Sequence, residues 1–456
     1  MEFRSAAPAA QSVAALRDFI WRAQGTAFEP GHADHTKACA IWNGAVEHHP
    51  ALVIPCRSAA EVQLALTGAQ AHGVAISVRG GGHDWAGRAL RHGGAVIDLS
   101  PMRGVTVDVA ARTATISGSA TGVEVAGAAA PHGLAPVIGN CGAVGAIGHL
   151  IGGGYGALTP GFGLAADNLL SAEVVLADGR TVTADPAQNP DLFWALRGGG
   201  GNFGVVTSIR IRLHPVAQML AGMMLFAWPQ AEAVLRGYDA LMSTAPDALS
   251  VTAGVVNAPD GSPVVLLAPA WSGDTAEGQK AIARLRGLGT PILDQIAPMT
   301  CIDQAHLQDA FVVNGRHHAI ETRWLPDLSA EAIAAIMAAG SNATSPYSGI
   351  VLHHFHGAGT RVAAEATAFG LRRRHILVEI VPAWDPGDGT RHRAWARDLS
   401  AALAPHALPG GYANLLGPDA QDQIAEAYGP NAERLRQIKR RYDPDNLFSS
   451  AIALPR

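Results

Sequence analysis

Charge is what this sequence has least of. Asp, Glu, Lys and Arg make up 16% of its 456 residues, against 48% hydrophobic ones. That balance excludes a disordered chain. It predicts a well-buried globular protein, too long for one compact core and so divided into two domains. Basic clusters are scarce as well. Lys439-Arg440-Arg441 and Arg372-Arg373-Arg374 lack interleaved aromatics and are expected to be solvated ends of elements; with a net charge of −5, no nucleic acid partner is expected. No apolar run is long enough to cross a membrane, so none is expected as a partner either. The start, MEFRSAAPAAQSVAALRDFIWRA, carries Glu2 and Asp18 and no apolar centre, so a secretory leader is not expected. Four scattered cysteines (Cys39, Cys56, Cys141, Cys301) contain no C-x-x-C, which argues against a disulfide scaffold or zinc centre and predicts a cytoplasmic location. The 19 histidines form no H-E-x-x-H and no tight cluster with carboxylates, so no metal site is expected.

Glycine is what the sequence has in concentration. Residues 139–156 read GNCGAVGAIGHLIGGGYG, with one cysteine, one histidine and one tyrosine among small residues. Such a stretch lets the backbone come close to something flat and polar. A second run, RGGGHDW at residues 79–85, follows an apolar segment. Residues 51–55 and 74–78 read as strands, joined by a helix that the capping box Ser58-Ala-Ala-Glu61 starts. This β-α-β unit delivers the glycines at a strand's carboxyl end, where successive N–H groups suit a pyrophosphate. A third run, Gly198 to Gly204, contains a literal G-x-G-x-x-G. It runs helix, glycines, strand, the reverse of a Rossmann turn, so a nicotinamide dinucleotide site is rejected.

Elsewhere, residues 11–23 have helical spacing of apolar residues. Residues 95–99, 105–108 and 113–116 read as strands, 123–130 as a helix, and Asp178-Gly179 as the turn of a hairpin. Asn189-Pro190 is expected to cap a helix. After residue 215 the glycine runs stop. Strands are expected at 219–228, 250–256, 263–270, 349–356 and 376–383, with helices from Asp274 and from Ser329 up to Gly340. The expected fold is α+β: a glycine-rich cofactor-binding domain over residues 1–214, an inserted antiparallel sheet with helices on one face over 215–407, and a return to the first domain over 408–456.

His83 and Cys141, standing in these runs, carry a resemblance. With SVRGGGHDWAG, CGAVGAIGHLIGGGYG, DLFWALRGGGGNFGVVTSI and YGPNAERLRQIKRRYDPDNLF, the chain resembles the berberine-bridge-enzyme-like oxidases, with a vanillyl-alcohol-oxidase type FAD fold. The resemblance covers nearly the whole chain. It implies FAD joined to His83 through its 8α carbon and to Cys141 through C6, imidazole and thiolate being the nucleophiles for an electrophilic ring. It implies flavin contacts from Arg79, Gly80, Gly81, Gly82, Asp84, Gly142, Val144, Gly145, Gly148, Gly153, Gly154, Gly204, Val205, Val206, Tyr412 and Asn414. His149 would stabilise the reduced flavin as a positive or donor group. Tyr155 would support a base, and Trp85 would line the substrate side.

The expected base departs from the family pattern. Relatives carry Tyr-x-Asn-Tyr, whereas this chain has Tyr412-Ala413-Asn414-Leu415. Tyr412 and Glu379 are the candidates, with His354 and His356 facing the substrate from one side of a strand. The expected activity is oxidation of an alcohol, sugar or amine on a small molecule, with hydride transfer to flavin N5 and O2 reduced to H2O2. Oxidative cyclisation or dehydrogenation of a natural product, and a flavin-containing drug-binding protein, are the alternatives. A monomer or homodimer is expected.

Overall fold

The computed structural model describes residues 10–449 and 451–454. Residues 1–9, and with them the start of the stretch read as having no leader, lie outside the described residues, as do 450 and 455–456. Among the described residues the strands form sheets of three, five, nine and two members.

The three-stranded sheet is parallel and runs Leu52–Pro55, Ala95–Asp98, Ile76–Arg79. The β-α-β unit therefore spans two strands that are not neighbours, because the later strand slots between them. Ser58 accepts from the Glu61 N–H and starts the helix Ala59–Ala71, while the Glu61 carboxylate accepts from the N–H of Arg57 instead of Ser58. The helix Ala10–Arg22 adds Val13, Leu16 and Ile20 to the same core.

The five-stranded sheet is antiparallel, in the order Arg103–Asp108, Thr113–Gly118, Val205–Arg212, Leu169–Val175, Thr181–Ala184. The third glycine run thus follows the helix Pro190–Ala195 and feeds the strand Val205–Arg212, the order on which a Rossmann site was rejected. Asn189 begins the helix Pro190–Ala195, but its side chain makes no cap bond and donates to the Thr183 carbonyl.

The nine-stranded antiparallel sheet takes its strands from residues 219–381. Its main path runs Pro291–Asp294, Met224–Ala227, Pro263–Trp271, Leu249–Asn257, Gly349–Phe355, His375–Val381, Glu321–Leu325. Helices Ala231–Met242, Thr275–Arg286, Ala330–Ser341 and Thr390–Leu403 bury Leu352, Val378, Ile380 and Trp395 on one face of it. The opposite face is turned to the glycine loops.

Four expectations need correction here. The strand expected at 219–228 breaks at Gly222, whose φ of +148° turns the chain between Met219–Ala221 and Met224–Ala227. The helix expected to stop at Gly340 runs through it. A Cβ there would lie 2.7 Å from Val255 Cγ1 and 2.8 Å from the Trp228 ring, so this glycine is a packing residue. Arg372 is no solvated end: it is 6% exposed and grips Asp167 with both terminal nitrogens at 2.8 Å. Lys439 likewise sits inside, donating to Asp443, the Asn202 carbonyl and the Phe448 carbonyl. It ties the last helix, Ala432–Tyr442, to the segment that follows.

Candidate active site

The first and second glycine runs meet backbone to backbone. A Cβ on Gly81 would lie 2.7 Å from the Gly145 Cα, closer than atoms can approach, so only glycines allow this contact. The loop that follows the strand Ile76–Arg79 is thereby pressed on the start of the helix Ala146–Ile151. Between these loops, the open face of the large sheet and the returning C-terminal segment lies a cavity of about 540 Å³, within the usual range for ligand sites.

Both candidate nucleophiles open into it. Cys141 Sγ lies 4.0 Å from His83 Nε2. Burial pushes the His83 imidazole down to about 4, so the ring is neutral near neutral pH and keeps a lone pair. Burial raises the Cys141 thiol, partly offset by the N–H groups of Ala143 and Val144. Gly80, Gly81, Gly82, Asp84, Val144, Gly145, Gly148, His149, Gly204, Val205, Val206, Tyr412 and Asn414 also line the cavity, as do Trp85 and Tyr155. Trp85 is held by its indole N–H on the Leu415 carbonyl. Asp84 is held by Arg88, which also reaches the carbonyls of Ala413 and Asn414.

Four expected cofactor contacts stand back from the cavity. The Arg79 guanidinium is tied to Asp98 at 2.9 Å behind its loop. Gly142 packs on Val123 and donates to the Ala305 carbonyl. Gly153 and Gly154 form the turn after Ala146–Ile151, with Gly154 donating to the Tyr412 hydroxyl.

The expected roles of three other side chains change. His149 donates from Nε2 to the Tyr155 carbonyl at 3.0 Å, and burial lowers it to about 4, so it is neither cationic nor a free donor. The Tyr412 hydroxyl accepts from Gly154 and from Asn414, each at 2.9 Å, yet burial wins and pushes it up to about 12. That is too high for a base near neutrality. Tyr155 spends its proton on His375 Nε2 at 2.7 Å, and burial raises it well above the ordinary value. These tyrosines belong to a buried ring cluster with Trp324, Phe355 and Phe369.

His354 and His356 do share one face, with their Nδ1 atoms 3.1 Å apart. It is the helix-covered face, where His354 also meets Arg374 and the Tyr238 ring. The cavity side of that strand shows Gly349, Val351 and His353, and the neighbouring strand shows Leu377, Glu379 and Val381. Glu379 was expected in the site and is there, with Oε2 3.1 Å from His353 Nε2. The sequence reading missed His353, Trp42, His318, Asn140 and Thr252, all of which line the cavity. Only His353 had a signal, the alternation that favoured its neighbours.

Comparison with known proteins gives the arrangement its family. A family model described as "FAD binding domain" matches residues 50–185, and one described as "Berberine and berberine like" matches residues 411–455. (R)-6-hydroxynicotine oxidase of Paenarthrobacter nicotinovorans is 32% identical over 449 residues, covering 93% of this chain and 95% of that one. The chain belongs to the berberine-bridge-enzyme-like FAD-linked oxidoreductases. The crystal structure of 6-hydroxy-D-nicotine oxidase from Arthrobacter nicotinovorans superposes with a TM-score of 0.86 at 29% identity, over 94% of this chain and 98% of that one. A glucooligosaccharide oxidase from Acremonium strictum, described with a 6-S-cysteinyl, 8α-N1-histidyl FAD, gives a TM-score of 0.86 at 24% identity, over 97% and 99%. This family member therefore has the vanillyl-alcohol-oxidase type fold and is an FAD-linked oxidase.

The cavity fits FAD on this chain's own terms. The Gly81–Gly145 contact keeps side chains out of the space between the loops. Among the described residues no acceptor is paired with the backbone N–H groups of Gly80, Gly81, Gly82 or His83. Gly82 has a φ of +68°, the left-handed step that turns such a run into an anion nest. Asn140 Oδ1 is buried in the lining without a partner. A polar, flat, phosphate-bearing occupant answers each of these features. No described group of His, Cys, Asp and Glu is arranged to hold a metal, and no described helix is long and apolar enough to cross a membrane.

Proposed function

We propose that this oxidase holds its flavin through both His83 and Cys141 and oxidises an amine or alcohol group on a bulky, largely apolar small molecule. Support for the double tether is the 4.0 Å separation of a neutral imidazole and a thiol, close enough to address two positions of one aromatic ring. When bound, FAD supplies the two-electron acceptor, passing the electrons on to O2 with release of H2O2.

The observation that carries the substrate reading is the Glu379–His353 pair on a sheet face that also presents Val351, Leu377 and Val381, with Ser250 and Thr252 as its hydroxyl groups. His353 Nε2 lies 3.1 Å from Glu379 Oε2, the imidazole N–H donating and the carboxylate oxygen accepting. The bond fixes the carboxylate, and its other oxygen has no partner among the described residues. Glu379 is thus the group able to take a proton from a substrate N–H or O–H, or to pair with a substrate ammonium. Val351 stands opposite it and Leu377 beside it on the same face, and Val256, Leu266, Phe311 and Met223 line the same cavity. Their side chains offer apolar contact to the body of a substrate. A cytoplasmic location remains part of this reading, supported by four free cysteines.

Leu415 favours a second reading, oxidative cyclisation or desaturation of a natural product. It lines the cavity with an alkyl group where relatives of the expected pattern carry a tyrosine. The test is a panel of apolar amines, apolar alcohols and oligosaccharides, scored for H2O2 and product mass. H2O2 with an apolar amine or alcohol, and loss of two mass units, is expected. Turnover of oligosaccharides alone sinks the substrate reading, and a two-unit loss without a carbonyl or imine selects the second one.

A further inference from the structure

His83 is not free to turn. The Trp42 indole lies over its imidazole with ring centroids 4.6 Å apart and planes 10° from parallel. His318 stacks on the same indole at 4.1 Å and 21°. Trp42 is itself pinned through its backbone, donating to the Gly82 carbonyl and accepting from the Gly315 N–H, each at 2.9 Å. The next residue joins the two sides. Asn43 Nδ2 donates to the carbonyls of Trp85 and His318 at 2.6 and 3.0 Å, and its Oδ1 accepts from the His318 N–H at 2.8 Å.

These rings serve through their faces. Trp42 Nε1 and both ring nitrogens of His318 are buried without a hydrogen-bond partner. The Val313 carbonyl comes near enough to His318 to favour its proton slightly, but outside hydrogen-bond geometry. Burial leaves His318 neutral, at about 4. A histidine and a tryptophan that use none of these nitrogens here, and stack in line with a third ring, form a flat support.

We propose that Trp42 and His318 are positioning residues for the flavin tether: the indole sets the plane of the His83 imidazole, and His318 makes that setting depend on docking of the segment His317–His318 from the substrate side. The proposal rests on the reading of His83 as a tether. Attachment forms a bond between an imidazole nitrogen and the 8α carbon. The hydrogen leaving that carbon and the imidazole hydrogen end on the flavin as its two-electron-reduced form, and O2 takes them as H2O2. The nitrogen lone pair must aim at that carbon, and a ring free to rotate aims there only part of the time.

The experiment uses the full-length chain and its Trp42→Leu, Trp42→Phe and His318→Leu variants. Each is purified with flavin, precipitated with acid and peptide-mapped for adducts at His83 and at Cys141. Trp42→Leu and His318→Leu are expected to lower the His83-linked fraction by about three- to tenfold while the Cys141-linked fraction holds. Trp42→Phe, which keeps a flat ring, is expected to restore most of it. Complete His83 modification in Trp42→Leu overturns the proposal, and so does a parallel loss of both adducts, which marks a merely structural role. If Trp42→Leu does not fold, retention in Trp42→Phe and loss in His318→Leu decide alone. Unsubstituted protein that releases all its flavin into acid overturns the tether reading itself, and is told apart because no variant is needed to see it.

Discussion

Glu379 and Tyr412 line the same cavity, and their surroundings give them opposite prospects. One oxygen of Glu379 is occupied by His353 and the other is free, whereas the Tyr412 oxygen already accepts two hydrogen bonds inside the protein. Glu379→Gln keeps the shape and removes the proton acceptor. It is expected to lower turnover by about 10²- to 10⁴-fold with flavin content unchanged, measured by H2O2 release per bound flavin. Tyr412→Phe leaves the Gly154 N–H without an acceptor and takes one of two from Asn414 Nδ2, which keeps the His149 carbonyl. It is expected to cost about 1–3 kcal/mol of stability in urea unfolding while turnover changes less than in Glu379→Gln. A larger rate loss in Tyr412→Phe than in Glu379→Gln would return the base to the tyrosine.

At the scale of elements, the joint between the two glycine loops has no room for a single added carbon. Gly81→Ala places a methyl 2.7 Å from backbone, which no rotamer can relieve. The expected result is a fall in the flavin-to-protein absorbance ratio to less than half, with far-ultraviolet circular dichroism unchanged. These loops were legible in the sequence because their chemistry demands glycine, and glycine in such density has few other uses. The large sheet was legible too, through alternation and caps such as Asp274, which accepts from the N–H groups of Ala276 and Glu277. Which of its faces meets the substrate was not legible. The strand Gly349–Phe355 carries histidines at both parities, and Ile350, Val351 and Leu352 are apolar in succession. Only the four helices packed elsewhere in the sequence decide that His354 is covered and His353 open. Trp42 was silent for a related reason, since its partners His83 and His318 meet it through folding of distant segments.

Across the whole molecule, burial of neutral histidines sets a common direction with pH. His149 at about 4 and His375 at about 3 both lie below the ordinary 6.5, because burial penalises their charged forms. As pH falls below 6.5 the unfolded chain therefore takes up these protons first. Stability is full above that value and is lost on acidification until the folded values are reached, at up to about 1.4 kcal/mol per pH unit for each such group. Urea midpoints are expected to fall steadily between about pH 7 and pH 5; a flat profile would mean that the unfolded chain keeps these rings buried. The Arg372–Asp167 pair is a further liability. Arg372→Ala leaves a largely buried carboxylate with the Leu164 N–H alone and is expected to cost about 3–5 kcal/mol in the same assay. The cavity wall also has an order in time. His83, Cys141 and all three glycine runs precede residue 205, but Tyr412, Asn414, Leu415, Phe448 and Ile452 complete the lining. A growing chain that has reached residue 400 carries every reactive atom and still has a gap in the wall. The wall around the flavin site is thus complete only once the C-terminal segment has been made.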